Sequence, residues 1–314
     1  MNILVTGGAG FIGSHLIDRL VVNGNRVVCV DDLSLGKLSN IDHHLSNSSF
    51  SFHKADILDK VVMRELFLKN RFDVVFHMAA NSDIQKSHET PSVDLQKTLM
   101  TTYNVLELMR EAKVRQIVFA STSAIYGEQE EELYEDIGPL FPISIYGAAK
   151  LSSEAFISAF SENYGINSWI CRFPNVVGER ATHGAMFDFV SRLKADPTKL
   201  RILGDGNQEK PYLYVKDLVE GLLFVWQNAK DKLNYYNLGV EDALTVRRIA
   251  EIVVEEMKLP NVKFEFTGGE RGWIGDVPKF RYSLEKVHRL GWKAKRTSQD
   301  SVRLAVQSYL REIQ

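Results

Sequence analysis

A tyrosine can accept a proton near neutral pH only if its anion is stabilised, because the free side chain titrates near pH ~10. A lysine one helical turn away supplies that stabilisation through its positive charge. Tyr-x-x-x-Lys occurs three times in this chain, at Tyr146/Lys150, Tyr212/Lys216 and Tyr282/Lys286. Only a helix brings positions i and i+4 together, about 6 Å apart. A strand separates them by roughly 13 Å. Tyr212 lies in YLYV, which alternates as a strand, so that pair cannot cooperate. Tyr282/Lys286 reads as helical, but no small hydroxyl segment stands just before it. Tyr146 opens the helical run YGAAKLSSEAF and follows the hydroxyl cluster Ser121, Thr122 and Ser123 at the end of an apolar strand. That pair suits proton abstraction coupled to hydride transfer.

A second group of residues could hold the hydride acceptor. Gly7, Gly10 and Gly13 form G-x-x-G-x-x-G directly after a strand-like run and at the start of a helical one. Gly7 suits a tight turn, Gly10 a close approach of backbone to a pyrophosphate, and Gly13 close packing of helix on strand. The free N–H groups of the first turn, around Phe11 and Ile12, point toward bound phosphates. Asp31 follows the second strand at the distance expected for a carboxylate that accepts the adenosine ribose hydroxyls. Its neighbour Asp32 repels a 2′-phosphate, which favours NAD over NADP. Asp56, ending the third strand, can reach the adenine.

The elements that must position these groups are legible as an alternation. Strands are expected at Asn2–Thr6, Arg26–Val30, Phe50–His53, Val74–His77, Gln116–Ala120 and Ser168–Arg172. Helices are expected at Ile12–Val22, Val61–Lys69, Val93–Glu111 and Ala148–Tyr164. Continuous apolar strands alternating with helices imply a parallel α/β sheet covered on both faces. Ligands bind such sheets at the carboxyl ends of the strands, the edge that the glycine loop and the hydroxyl cluster share. After Arg172 the rhythm loosens, with a turn-rich GDGNQEKP, a strand-like YLYV, a helix from Lys216, a strand at Tyr235–Leu238, and helices at Val246–Met257 and near Gln299–Arg311.

Composition limits the alternatives. With 45% hydrophobic and 25% charged residues the 314-residue chain is an ordinary globular protein with room for two lobes. A net charge of −2 without a long basic run argues against a nucleic-acid partner. Cys29 and Cys171 lie far apart in apolar runs and fit no metal spacing, so they read as buried free thiols of a reducing compartment. There is no signal-peptide pattern and no apolar run approaching the roughly 18 residues of a membrane span. A cytoplasmic protein with no membrane partner and no metal is expected.

Six stretches taken together carry a resemblance: TGGAGFIG, HMAA, STSAIYG, YGAAK, RFPNVVG and RGWIGDVP. The chain resembles the extended short-chain dehydrogenases/reductases, in the nucleotide-sugar epimerase and dehydratase group of UDP-galactose 4-epimerase type. The resemblance implies a Rossmann doubly wound parallel sheet with a smaller α/β substrate-binding lobe. Residues 1–174 would form the NAD domain, 215–238 returning to it, and 175–214 with 239–314 the nucleotide-sugar lobe. It implies Tyr146 as catalytic acid/base, Lys150 on the nicotinamide ribose and lowering the tyrosine pKa, and Thr122 or Ser123 bonding the sugar O4. Ile57, Ala79, Ala80, Thr98 and Ser121 would join the cofactor set. Asn175, Lys210, Arg271, Asp276 and Phe280 would meet the substrate, Arg271 through the bidentate fork that suits a diphosphate.

The resemblance also divides the possible reactions. The family's 4,6-dehydratases follow the hydroxyl residue with an Asp-Glu pair, whereas Ser123 and Ala124 stand here. C4 epimerisation of a UDP-hexose through a transient 4-keto sugar, with NAD regenerated, is the expectation. The alternatives are a net 4-dehydrogenase or keto-sugar reductase, and an NAD-sensing regulator on the same fold. Three positions depart from the pattern: Lys210–Pro211 where Arg-Asp is usual, Thr98 in place of asparagine, and Pro174 in place of an aromatic. Phe280, four residues beyond Asp276, occupies the position that limits space around the sugar C2 group. The family pairs subunits through the helices corresponding to about Val93–Glu111 and Ala148–Tyr164, so a homodimer is expected.

Overall fold

The structure, a computed structural model, describes residues 1–82, 84–272 and 275–312, without the side chains of 84–86. Trp273 and Ile274 of the RGWIGDVP stretch lie outside the described residues. The chain divides into two units. The first comprises Met1–Ile125, Ser144–Arg172 and Leu222–Tyr236.

The first unit is built on a seven-stranded parallel sheet. Its strands are β1 (Asn2–Thr6), β2 (Arg26–Asp31), β3 (Phe50–Lys54), β4 (Val74–His77), β5 (Gln116–Thr122), β6 (Asn167–Phe173) and an edge strand, Leu233–Asn237. The order across the sheet is Leu233–Asn237, β6, β5, β4, β1, β2, β3. β1 bonds to β2 on one side (Val5 opposite Cys29) and to β4 on the other (Val5 opposite Phe76). The strand order therefore reverses at β1, and a crevice opens beyond its carboxyl end. Runs such as ILV and VVF are buried on both faces, which explains their lack of alternation.

Helix α1 (Phe11–Val22) buries Gly13, Leu16, Ile17 and Leu20, a stripe spaced i, i+3, i+4, i+7. Each of its three aliphatic side chains contributes about 1.5–3 kcal/mol by leaving water. Helix α2 (Lys60–Asn70) starts at Asp59, whose carboxylate accepts from the amides of Val61 and Val62. The segment expected as one helix over 93–111 has three parts: Ser92–Asp94, a π-helical turn Leu95–Met100, and Thr101–Ala112. The helix expected from Ala148 begins at Ile145, because Ser144 caps it by accepting the Gly147 amide. Tyr146 is therefore in the first turn. The helix closes at Gly165, which takes the left-handed conformation (φ 65°) open to glycine.

The second unit comprises Tyr126–Ile143, Phe173–Gly221 and Asn237–Gln314. Three short strand pairs carry it: Asn175–Val177 with Tyr212–Tyr214, Glu209–Lys210 with Leu244–Thr245, and Lys199–Ile202 with Lys263–Phe266. Helices Ala185–Ala195 and Ser298–Glu312 belong to it, with Val246–Met257, which buries Ile249, Ala250, Ile252 and Val253. Tyr126–Ile143 joins this unit through its own bonds. Leu133 donates its amide to the Arg281 carbonyl, and the Tyr126 hydroxyl donates to Asn237 Oδ1 at 2.7 Å. Tyr282 precedes the helix Glu285–Leu290 rather than lying in it, so Tyr282 and Lys286 do not share a helix face. No described helix is long and apolar enough to cross a membrane.

Candidate active site

The glycine loop leaves β1 and enters α1 as the spacing requires. Gly7 sits at φ +66°, and a Cβ there would lie 2.7 Å from the Ala79 backbone, so this crossing of the β1 and β4 ends admits only glycine. A Cβ on Gly13 would stand 2.2 Å from the Gly7 carbonyl oxygen. Gly10 is the N-cap of α1 and no side chain caps it, which leaves the first-turn amides, Phe11 and Ile12 among them, to an anion. The cradle fits a dinucleotide pyrophosphate.

The acidic residues around it have additional local partners. Asp31 is buried and accepts from the amides of Ala9 (3.0 Å) and Leu33 (2.8 Å), so it braces the glycine loop. Burial raises its pKa, and those amides oppose the rise. Asp32 and Asp56 share the ammonium of Lys97 at 2.9 and 2.8 Å. Burial works against the Asp32 anion, but Ser34 and Lys97 hold it below the usual carboxylate range. The charge expected to repel a 2′-phosphate at Asp32 is thus met by a lysine that the sequence reading passed over. No cation pairs with Asp31 among the described residues. Ile57 is buried, and its carbonyl accepts from Asn104. Ala79 and Ala80 follow β4 and are partly exposed. Thr98 is fully buried on the π-helical turn. Its hydroxyl donates to Asp94 and accepts from the Asn81 amide.

Tyr146, Lys150 and Thr122 come together in the first unit. The Thr122 hydroxyl lies near enough to the Tyr146 hydroxyl to favour its anion. Burial pushes this tyrosine up, Thr122 opposes the shift, and the charge of Asp94 adds to it. Lys150 is 2% exposed, donates to the Ala120 carbonyl at 2.6 Å, and places Nζ 6.0 Å from the Tyr146 ring centre. Burial lowers its pKa to about 7, against the pull of Asp94 and Glu154. The tyrosine pKa expected to fall beside Lys150 is instead raised in the protein alone, because desolvation dominates both groups. Ser123 begins a short 3-10 turn, Ser123–Tyr126, and Ser121 donates to the buried Glu154.

Four polar groups of this network escaped the sequence reading. Glu154 accepts from Arg172 Nε (3.1 Å) and Nη2 (2.7 Å), both residues being buried. Glu154 stands eight residues after Tyr146, two turns along the same helix face, and Arg172 is the single charge in the apolar run SWICRF, so the sequence does carry their signal. His77 lies between the hydroxyls of Thr6 (2.7 Å) and Thr102 (3.1 Å). Asp94 is fully buried, with one carboxylate oxygen unpartnered among the described residues. Nothing in its sequence context marks it.

The residues read as substrate ligands belong to the second unit. Lys210 pairs with Asp276, both buried, and the Gly272 amide donates to Asp276 at 3.1 Å. Arg271 pairs with Glu128 at 2.7 Å. Asn175 is exposed at the head of its strand, and Phe280 packs edge-on against Tyr282, ring centres 5.7 Å apart. Tyr212 is buried in its strand, while Lys216 lies on the following helix and pairs with Glu179. They form no couple.

Residues 3–239 match the model of the NAD dependent epimerase/dehydratase family. A crystal structure of a UDP-galactose 4-epimerase is similar with a TM-score of 0.88 and 36% identity, covering 100% of each chain. The UDP-glucose 4-epimerase of Thermotoga maritima, solved with UDP-glucose, gives 0.90 at 31% identity, again over 100% of each chain. The human dTDP-D-glucose 4,6-dehydratase is 28% identical over 316 residues, 98% of this chain and 89% of its own. With the glycine cradle, this places the protein: the chain belongs to the NAD dependent epimerase/dehydratase family, and NAD is its cofactor.

Proposed function

We propose that the protein epimerises a nucleotide-diphosphate hexose of the UDP-glucose/UDP-galactose type at C4, through a transient 4-keto sugar. The observation that carries this reading is the turn after β5. Thr122 meets Tyr146 there, and the next residues are Ser123 and Ala124, with no carboxylate to drive elimination from a keto-sugar. The similar enzymes named for UDP-galactose and UDP-glucose support the substrate class.

Tyr146 removes the proton of the C4 hydroxyl at its phenolic oxygen and returns it after the keto-sugar has turned over. Thr122, whose hydroxyl favours the anion of that oxygen, would meet the sugar O4, with Ser123 beside it. Lys150, fixed to the Ala120 carbonyl, holds the helix against β5 and sits near its own midpoint at pH 7. NAD, held at the glycine cradle, would supply the acceptor and then the donor of the C4 hydride, and its oxidised ring would add positive charge beside the Tyr146 oxygen.

The first unit is assigned to NAD and the second to the nucleotide sugar. Asn175 and Arg271 would hold the diphosphate, Lys210 and Asp276 the nucleoside, and Phe280 the wall near C2. A homodimer through the helices at 92–112 and 145–164 fits their exposed Met100 and Phe156. Sedimentation at micromolar concentration tests it. The reaction is tested by NMR of products from UDP-glucose and UDP-galactose while NADH is followed by absorbance. Interconversion without NADH release is expected. Stoichiometric NADH would instead make the protein a dehydrogenase.

A further inference from the structure

One cluster of side chains lies apart from both the glycine cradle and the tyrosine–lysine pair. Asp18 projects from α1, and His43 and His44 come from the short 3-10 turn Asp42–His44. His43 Nε2 lies 2.9 Å and His44 Nε2 2.8 Å from the same oxygen, Asp18 Oδ1. The two rings are 4.1 Å apart. All three candidate ligand atoms fall within 4.8 Å of one another. Consecutive residues usually point apart; here both imidazoles turn the same nitrogen to one carboxylate.

We propose that Asp18, His43 and His44 bind a divalent transition metal of the zinc class. Two imidazoles and a carboxylate suit Zn²⁺, Ni²⁺ or Cu²⁺ and disfavour Mg²⁺ or Ca²⁺. With metal–ligand bonds of about 2.0–2.2 Å, tetrahedral ligand atoms stand about 3.3 Å apart. The two histidine–aspartate separations need to open by only a few tenths of an ångström. His43, its side chain 46% exposed, is free to make that move, while His44 is 11% exposed and rests against Phe50. The remaining coordination position is left to solvent. Asp42 Oδ1 stands 3.8 Å from His43 Nδ1, where a carboxylate orients a metal-bound imidazole through its other nitrogen.

The site has a structural consequence. In the segment leading to these histidines, the Lys37 amide and the Asn40 side chain both donate to the Ala9 carbonyl, at 3.0 and 2.8 Å. A metal would therefore fasten α1 to the segment that braces the glycine loop.

The test uses the untagged, NAD-loaded protein after treatment with EDTA, titrated with Zn²⁺ by calorimetry and by competition with a chromophoric chelator. One equivalent should bind, and Co²⁺ should give the visible bands of an imidazole-ligated site. His43→Asn and Asp18→Asn change groups at the surface end of the cluster. Each should weaken binding at least about tenfold, with the melting temperature in EDTA close to that of the unchanged protein. Absence of a stoichiometric zinc equivalent in the unchanged protein, or equal affinity in both variants, would overturn the proposal and leave the cluster a hydrogen-bonded staple.

Discussion

Arg172 grips Glu154 through Nε and Nη2 while Ser121, one residue before Thr122, donates to the same carboxylate. β6, the Tyr146 helix and the end of β5 are thereby tied at one buried point. Removing one charge leaves the other uncompensated, which costs about 3–5 kcal/mol. Glu154→Gln should lose on that order in urea denaturation, whereas Glu154→Leu/Arg172→Met, which removes both charges, should lose less. Equal losses would show that the buried charges are not the source of the cost.

Tyr146→Phe deletes only the proton-transfer oxygen. Turnover should drop by about 10²–10⁴-fold with nucleotide-sugar affinity nearly unchanged. Tyr212→Phe, in a strand and without a lysine partner among the described residues, should stay within a few-fold of the unchanged protein. Comparable losses in both, with melting curves intact, would contradict the choice of Tyr146.

Burial lowers the pKa of His77 to about 3 from the ordinary 6.5. Between those values the unfolded chain binds a proton there that the folded chain refuses, so stability falls as pH drops from 6.5 toward 3. Above 6.5 the contribution is constant. His77→Gln should flatten this part of the stability–pH curve by one proton, measured by denaturant titration at several pH values. An unchanged slope would mean that His77 titrates alike in both states.

Gly13→Ala places a methyl against the Gly7 carbonyl and 2.8 Å from Gly8 Cα. Overpacking of that kind costs about 1–3 kcal/mol and shifts the cradle. The variant should melt lower and retain less cofactor after gel filtration. In the unchanged protein, the supernatant after heat denaturation should contain NAD(H) without any having been added. Finding NADP there would refute the reading of Asp31.

Phe280, packed edge-on against Tyr282, is the bulky side chain assigned to the wall near the sugar C2 group. Phe280→Ser should raise kcat/KM on UDP-N-acetylglucosamine relative to UDP-glucose. A preference for the acetamido sugar in the unchanged protein would place the limiting wall elsewhere.

The first unit was legible because its signals are local. Apolar runs set β1 to β6 within one or two residues at each end, and the glycine spacing set the turn into α1. The distinction between helix and strand set Tyr212 aside, whereas Tyr282, read as helical and set aside for want of a hydroxyl segment, in fact lies before its helix. What stayed hidden depends on distant pairings. Lys97 meets Asp32 and Asp56 across 65 and 41 residues of chain. Asp94 gains its surroundings from a π-helical turn that no periodicity marks. In the second unit the strands have two to four residues each and pair across long separations, so the pair Lys199–Ile202/Lys263–Phe266 left no rhythm to read. The helix Ala185–Ala195 did carry one, Met186, Phe189, Val190 and Leu193 at i, i+3, i+4 and i+7, which the sequence reading passed over. Lys210, a departure from the family pattern, proved to have its own partner in Asp276.

The order of strands along the chain has a consequence for synthesis. β1 to β5 emerge first, yet β6 and Leu233–Asn237 both lie beyond β5 in the sheet. Until β6 leaves the ribosome, β5 is the open margin of a half-made sheet, and its sequence QIVFAST is uncharged with an apolar centre. Such a margin can recruit a strand from another chain. The interval between Thr122 and Arg172 is thus the stretch of translation in which a nascent chain most needs a chaperone. A polypeptide halted there would expose the margin bearing Thr122 before Arg172 exists to lock it.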